Sequence, residues 1–91
     1  MITRDGDRYR VQGPLTMSNI TAVLEEGLRL FEGDSLVVDF AGAEEVDSSA
    51  VSLMLEWLRD ARRRNRRVQF VNLPANLTSL AKLYDALELV Q

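Results

Sequence analysis

Between Leu36 and Phe70 the chain switches hydrophobic period twice, and this constrains its fold more than any other feature. Leu36-Val37-Val38 is a continuous apolar run, the pattern of a central strand covered on both faces. From about Ser48 to Arg64 the apolar residues recur at the 3.6-residue period of a long helix. Val68 and Phe70 then alternate with Gln69, the period of a strand, and Pro74 closes it. Strand, helix and strand in immediate succession call for a parallel or mixed sheet with helices packed on it.

The flanking segments extend this reading. Tyr9 to Gln12 is predicted as a short first strand, Gly13-Pro14 as a turn, and Leu15 as part of a second extended piece. A helix follows, with Thr16 or Ser18 as its N-cap. Its apolar face comprises Met17, Ile20, Val23, Leu24, Gly27, Leu28 and Phe31. Gly27 costs a helix interior about 1 kcal/mol relative to alanine, so a close approach to a neighbouring strand is expected there. Gly33-Asp34 ends this helix, and Ala41 to Val46 is read as a loop holding Glu44 and Glu45. Ala75-Asn76 opens a third helix with Leu77, Leu80, Ala81 and Tyr84 on one face, and Leu89-Val90 is read as a last edge strand. The order is β-β-α-β-α-β-α-β. It predicts an α/β fold with a mixed sheet of four to five strands and three helices. At 91 residues the whole chain, 1–91, is read as one domain.

Composition restricts function sharply. The sequence has no cysteine and no histidine. Thiolate chemistry and His-dependent triads are therefore excluded, and the usual zinc and copper sites are argued against. The one lysine, Lys82, lies in no Gly-x-x-x-x-Gly-Lys-Ser/Thr loop, so no ATPase site is present. Glu25-Glu26 and Glu44-Glu45 are adjacent pairs whose side chains diverge, and they read as solvated surface rather than an acid-base dyad. No catalytic residue, cofactor or metal is expected. Met1 to Arg10 has no apolar run of the signal-peptide kind, and no stretch approaches the roughly 20 residues of a membrane span. A cytoplasmic protein is expected. A net charge of −3 argues against nucleic-acid binding.

What remains is a docking protein, and the long helix carries the candidate residues. At roughly 100° per residue, Ser49, Ser52, Glu56, Arg59, Asp60 and Arg63 share a polar stripe. Ala50, Val51, Met54, Leu55, Leu58 and Ala61 face the core. Trp57, on the border, reads first as a core-edge residue covering the sheet. Leu53, closer to the serines, is a candidate surface contact, since an apolar side chain among small polar ones is a common interface pattern. Asp47 and Ser48 are both preferred N-cap residues. Only one is needed, which leaves Ser49 at the helix start, where the dipole favours an anion. A phosphate there would place about two negative charges in the middle of a docking surface. Glu45 and Glu44 precede this segment and are suited to a basic patch on a partner. Arg62, Arg63, Arg64, Arg66 and Arg67 read as a solvated helix end whose cations suit the macrodipole, with weak contact to anionic lipid as the functional alternative.

The segment Val46-Asp47-Ser48-Ser49-Ala50-Val51, between Leu36-Val37-Val38-Asp39-Phe40 and a long helix, resembles the signature of STAS domains, the sulfate-transporter and anti-sigma-factor-antagonist family. The resemblance covers nearly the whole chain. In the antagonist branch the segment is Asp-Ser-Ser/Thr-Gly and a partner kinase phosphorylates the second hydroxyl residue, which implies Ser49 here. The glycine of that pattern is Ala50 in this chain. Ser79-Leu80-Ala81-Lys82-Leu83-Tyr84, followed by Leu87 and Leu89, is similar to the C-terminal segment of MlaB-type proteins. These are the cytoplasmic STAS subunits of a bacterial ABC transporter that moves phospholipids between the inner and outer membranes. That resemblance implies an ATPase subunit as partner and, through it, a membrane permease, with the residue at Ser48 in contact with the ATPase. Ala50 and the Leu-Ala-Lys-Leu-Tyr segment favour the transporter branch. The residues expected to meet the partner are Asp47, Ser48, Ser49, Leu53 and Glu45. The alternative is an anti-sigma-factor antagonist switched at Ser49.

Overall fold

The computed structural model describes residues 1–86. Two strands open the chain, β1 (Ile2–Asp5) and β2 (Arg8–Leu15), followed by α1 (Ile20–Leu30), β3 (Ser35–Val46), α2 (Ser49–Arg63), β4 (Arg67–Val71) and α3 (Ala75–Leu83). The sheet order is β1-β2-β3-β4. The β1–β2 pair is antiparallel, whereas β2–β3 and β3–β4 are parallel. The predicted mixed sheet with three helices is therefore what forms. Right-handed crossovers between parallel neighbours that advance in one direction put their helices on one side of the sheet. Accordingly α1 and α2 pack against each other, and α3 lies beside α2.

Side chains on that face form one core: Tyr9, Val11 and Leu15 of β2, Leu36, Val38 and Phe40 of β3, and Phe70 of β4 meet Val23, Trp57, Met54, Leu77 and Ala81 of the helices. The opposite sheet face carries Arg8, Arg10, Val37 and Gln69. Val37 is only half-buried, so the apolar run of β3 is not covered on both faces as its composition suggested. Asp39, also on this face, is buried by its own partners. It accepts hydrogen bonds from Arg8 Nη2 at 2.8 Å, Asn72 Nδ2 at 3.1 Å and Ala41 N–H at 2.9 Å. Burial pushes its pKa up, but these donors outweigh it, and the carboxyl stays below its ordinary value.

Several boundaries differ from the sequence reading. β1 was not anticipated, although Asp5-Gly6 is a hairpin dipeptide and Gly6 takes φ +66° in the turn. Gly13-Pro14 does not break the chain. Gly13, at φ +86°, lies inside one continuous β2 at a register shift against β3. Bulges are where strands tolerate glycine and proline. Ala41 to Val46 is not a loop but the second half of β3, paired through Gly42 with Gln12. A Cβ on Gly42 would come within 3.2 Å of the Val11 carbonyl oxygen, which explains a glycine inside a strand. The edge strand at Leu89-Val90 lies outside the described residues.

Helix α1 begins at Ile20, later than predicted, with Asn19 rather than Thr16 or Ser18 at its N-cap. The Asn19 side chain turns backwards and accepts from the Thr16 N–H at 2.9 Å. Met17 consequently sits in the preceding turn, 80% exposed, and not on the buried helix face. Gly27 does mark a close approach, but to α2 rather than to a strand. A Cβ there would fall 2.5 Å from the Trp57 ring. Trp57 is 1% exposed, and its indole N–H donates to the Leu24 carbonyl at 3.1 Å.

Candidate functional site

The start of α2 is assembled from three segments. Asp47 leaves β3 with its N–H donating to the Leu15 carbonyl at 3.2 Å, which ties it to the end of β2. Ser48 takes the N-cap position, but its side chain makes no capping bond and is exposed. Asp47 supplies the polar closure instead. Its Oδ1 accepts the Ser49 N–H at 2.9 Å and a short hydrogen bond from the Ser49 hydroxyl. Its Oδ2 accepts the Met17 N–H at 3.0 Å from the turn before α1. The Ser49 hydroxyl, then the Met17 amide, hold the Asp47 carboxyl below the usual carboxylate range against the upward pull of burial.

These bonds frame a surface groove of about 400 Å³ lined by Met17, Ser48, Ser49, Val51, Ser52, Leu55 and Tyr84. Tyr84 is 57% exposed. It is the residue that ends α3, and its ring lines the groove rather than the core. Leu83 beside it is 73% exposed. A second, smaller recess of about 100 Å³ lies between α1 and α2, lined by Ile20, Thr21, Leu24, Ser49, Ser52, Leu53 and Glu56. Ser49 and Ser52 thus form a ridge of small polar residues with an apolar-lined depression on either side.

Of the predicted contact residues, Asp47, Ser48 and Ser49 come together here. Leu53 does not belong with them as a surface contact. It is only 2% exposed and forms part of the floor under the small recess, packed into the core. Its border position on the helical wheel falls against α1, which covers it. Glu45 is exposed on the last part of β3 and lines neither depression. Met17 and Tyr84 were not among the predicted contacts. Both were assigned to apolar helix faces, whereas Met17 lies in the turn before α1 and Tyr84 at the residue that ends α3.

The arginine cluster is largely engaged within the molecule. Asp60, buried on the stripe expected to be polar surface, pairs with Arg63 Nη2 at 2.9 Å and Arg64 Nε at 3.1 Å. Burial raises its pKa, but the two guanidinium groups prevail and hold it low. Arg66 donates to the Phe31 carbonyl at 3.0 Å, closing the C-terminus of α1. Arg62 and Arg67 form no ion pair among the described residues. Among those residues no cluster of three or more His, Cys, Asp or Glu is placed to hold a metal ion, and no helix is long and apolar enough to cross a membrane.

Solved structures share this two-layer α/β architecture. The anti-sigma factor antagonist SpoIIAA in its unphosphorylated form superposes with a TM-score of 0.74 at 14% identity, over 97% of this chain and 82% of that one. A crystal structure of Mglu gives 0.63 at 24% identity over 82% of this chain, which corresponds to only 20% of Mglu. At these identities the likeness concerns the fold. No curated protein matches the chain. The family is more specific: residues 2–91 match the one described as "Mlab, STAS domain", and the chain belongs to it.

Proposed function

We propose that this protein is the STAS subunit of an ABC transporter that moves phospholipids, docking onto the ATPase subunit through the groove at the start of α2. The observation that carries this reading is the exposure of Met17 and Tyr84 beside Ser48 and Ser49, in a chain of the MlaB-type family. Large apolar side chains left in solvent around a small polar ridge form a surface that gains by being covered. The subunit has no chemistry to contribute and acts by binding. At a concentration about a hundredfold above Kd, docking onto only the folded ATPase stabilises it by about 2.7 kcal/mol. That is a large fraction of the roughly 5–15 kcal/mol that holds an ordinary domain folded. Unequal affinity for two ATPase conformations would bias the transport cycle.

The protein is then peripheral to the inner membrane through the complex. Anionic lipid attracts a nearby arginine by about 1 kcal/mol. With Arg63, Arg64 and Arg66 engaged internally, Arg62 and Arg67 are too few to hold the chain at a membrane alone.

A second reading, an anti-sigma-factor antagonist, is favoured by one contact: the Ser49 hydroxyl rests against the Asp47 carboxylate, where a phosphate would meet like charge. Affinity capture of the tagged chain from its native cells in mild detergent separates the two. A stoichiometric ATPase with a permease supports the transporter subunit. A kinase-like protein, bound only while Ser49 is unmodified, overturns it in favour of the antagonist.

A further inference from the structure

Asp47 was expected to touch the partner, but its half-buried carboxylate is taken up by partners within the chain. Both oxygens are occupied within the chain, Oδ2 by the Met17 N–H and Oδ1 by the N–H and hydroxyl of Ser49. The acceptors are also shared between parts of the fold that are 30 residues apart in sequence. Met17 has no core contact of its own to hold it; its side chain is 80% exposed in the turn between β2 and α1. We infer that Asp47 is a positioning residue for the docking surface: it sets Met17, one wall of the groove, at a fixed place relative to Ser49 and α2, without meeting the partner. This deepens the docking reading above and rests on it for its consequence in binding.

Holding Met17 in place preorganises the groove. A wall that must be ordered at the moment of binding loses affinity for that ordering, whereas a wall already held in place does not. A carboxylate can hold both sides because it has two acceptor oxygens; an asparagine has one and must give up a partner. Asp47→Asn therefore changes shape little: its one oxygen stays with the two donors of Ser49, and its amide nitrogen faces the Met17 N–H, which loses its acceptor. A hydrogen bond to a charged group is worth enough that its loss shifts a local equilibrium about tenfold.

The first measurement is amide hydrogen exchange in the isolated chain. In Asp47→Asn the Met17 amide is expected to exchange about tenfold faster, while β4 amides, which report global folding, keep their protection. Unchanged Met17 exchange overturns the inference whatever the partner is. The second is a double-mutant cycle on affinity for the purified ATPase subunit. Asp47→Asn alone is expected to weaken binding about tenfold, and in a Met17→Ala background less than twofold. A full tenfold loss in that background would show Asp47 contacting the partner directly and would overturn the positioning role. If the wild-type chain fails to bind the ATPase subunit, the docking reading falls, while the exchange result still decides whether Asp47 holds Met17.

Discussion

Gly27 shows how much a single residue decides in a small core. Its missing side chain admits Trp57, whose indole then reaches the Leu24 carbonyl and stacks edge-on against Phe31 with ring centroids 5.0 Å apart. Helix propensity alone favours Gly27→Ala by about 1 kcal/mol. The clash with a fully packed ring costs more, since overpacking typically costs about 1–3 kcal/mol and something must move. Gly27→Ala is expected to lower the urea midpoint at unchanged m-value; a stabilised variant would show that the ring yields freely. Tyr84 is the converse case, a large ring left outside. Truncating a tyrosine at an interface centre costs about 2 kcal/mol, so Tyr84→Ala should weaken ATPase binding roughly thirtyfold in a calorimetric titration, with thermal stability nearly unchanged. The sequence marked Gly27 and Trp57 as a helix glycine and a core-edge aromatic, yet it did not pair them. It misplaced Leu53 and Met17 for one reason. Helical periodicity tells which side chains share a face, but not where a neighbouring helix starts or where the core stops.

At the scale of elements, α2 is anchored at both ends by aspartates that the sequence assigned to capping or to surface. Asp47 closes its start, and Asp60 gathers Arg63 and Arg64 near its end. The arginines are more than half exposed, so solvent screens much of the attraction. Asp60→Ala is expected to cost about 1 kcal/mol in urea unfolding, the scale of a well-exposed ion pair. A loss of several kcal/mol would mean that the pair is effectively dry. The strand order in the middle of the chain was legible because β3, α2 and β4 follow each other with clear periods. The ends of β2 and β3 were not. Both contain glycine at positions where the neighbouring strand bulges or comes close, and local sequence makes such a glycine look like a turn.

On the scale of the whole molecule, the sheet has one face under helices and one face open, and buried carboxylates support both. Asp39 on the open side joins β2, β3 and the residues after β4, while Asp60 joins α2 to the turn that follows it. Both have pKa values lowered on folding. A lowered folded-state pKa means that the unfolded chain binds protons first as pH falls. This stabilisation is therefore complete above the unfolded value of about 3.9 and is lost progressively below it. The unfolding free energy should be lower at pH 3 than at pH 6, and the combined Asp39→Asn and Asp60→Asn changes should flatten that dependence. An unaltered slope would place the titrating groups elsewhere. The architecture was open to sequence reading because hydrophobic period and element order almost determine it. Of the proposed docking surface only Asp47, Ser48 and Ser49 were legible, since the other walls of the groove come from segments that only tertiary packing brings together. Whether this surface meets the ATPase subunit is best tested at Ser48, which is exposed and free of any capping bond whose loss could unfold the helix. Titration of the purified ATPase subunit with wild-type chain and with Ser48→Arg, alongside circular dichroism, is the direct measurement. An unchanged spectrum is expected, with affinity reduced at least a hundredfold, on the order of the loss from disrupting an interface hot spot. Affinity within twofold of wild type would contradict it and place the interface on another face.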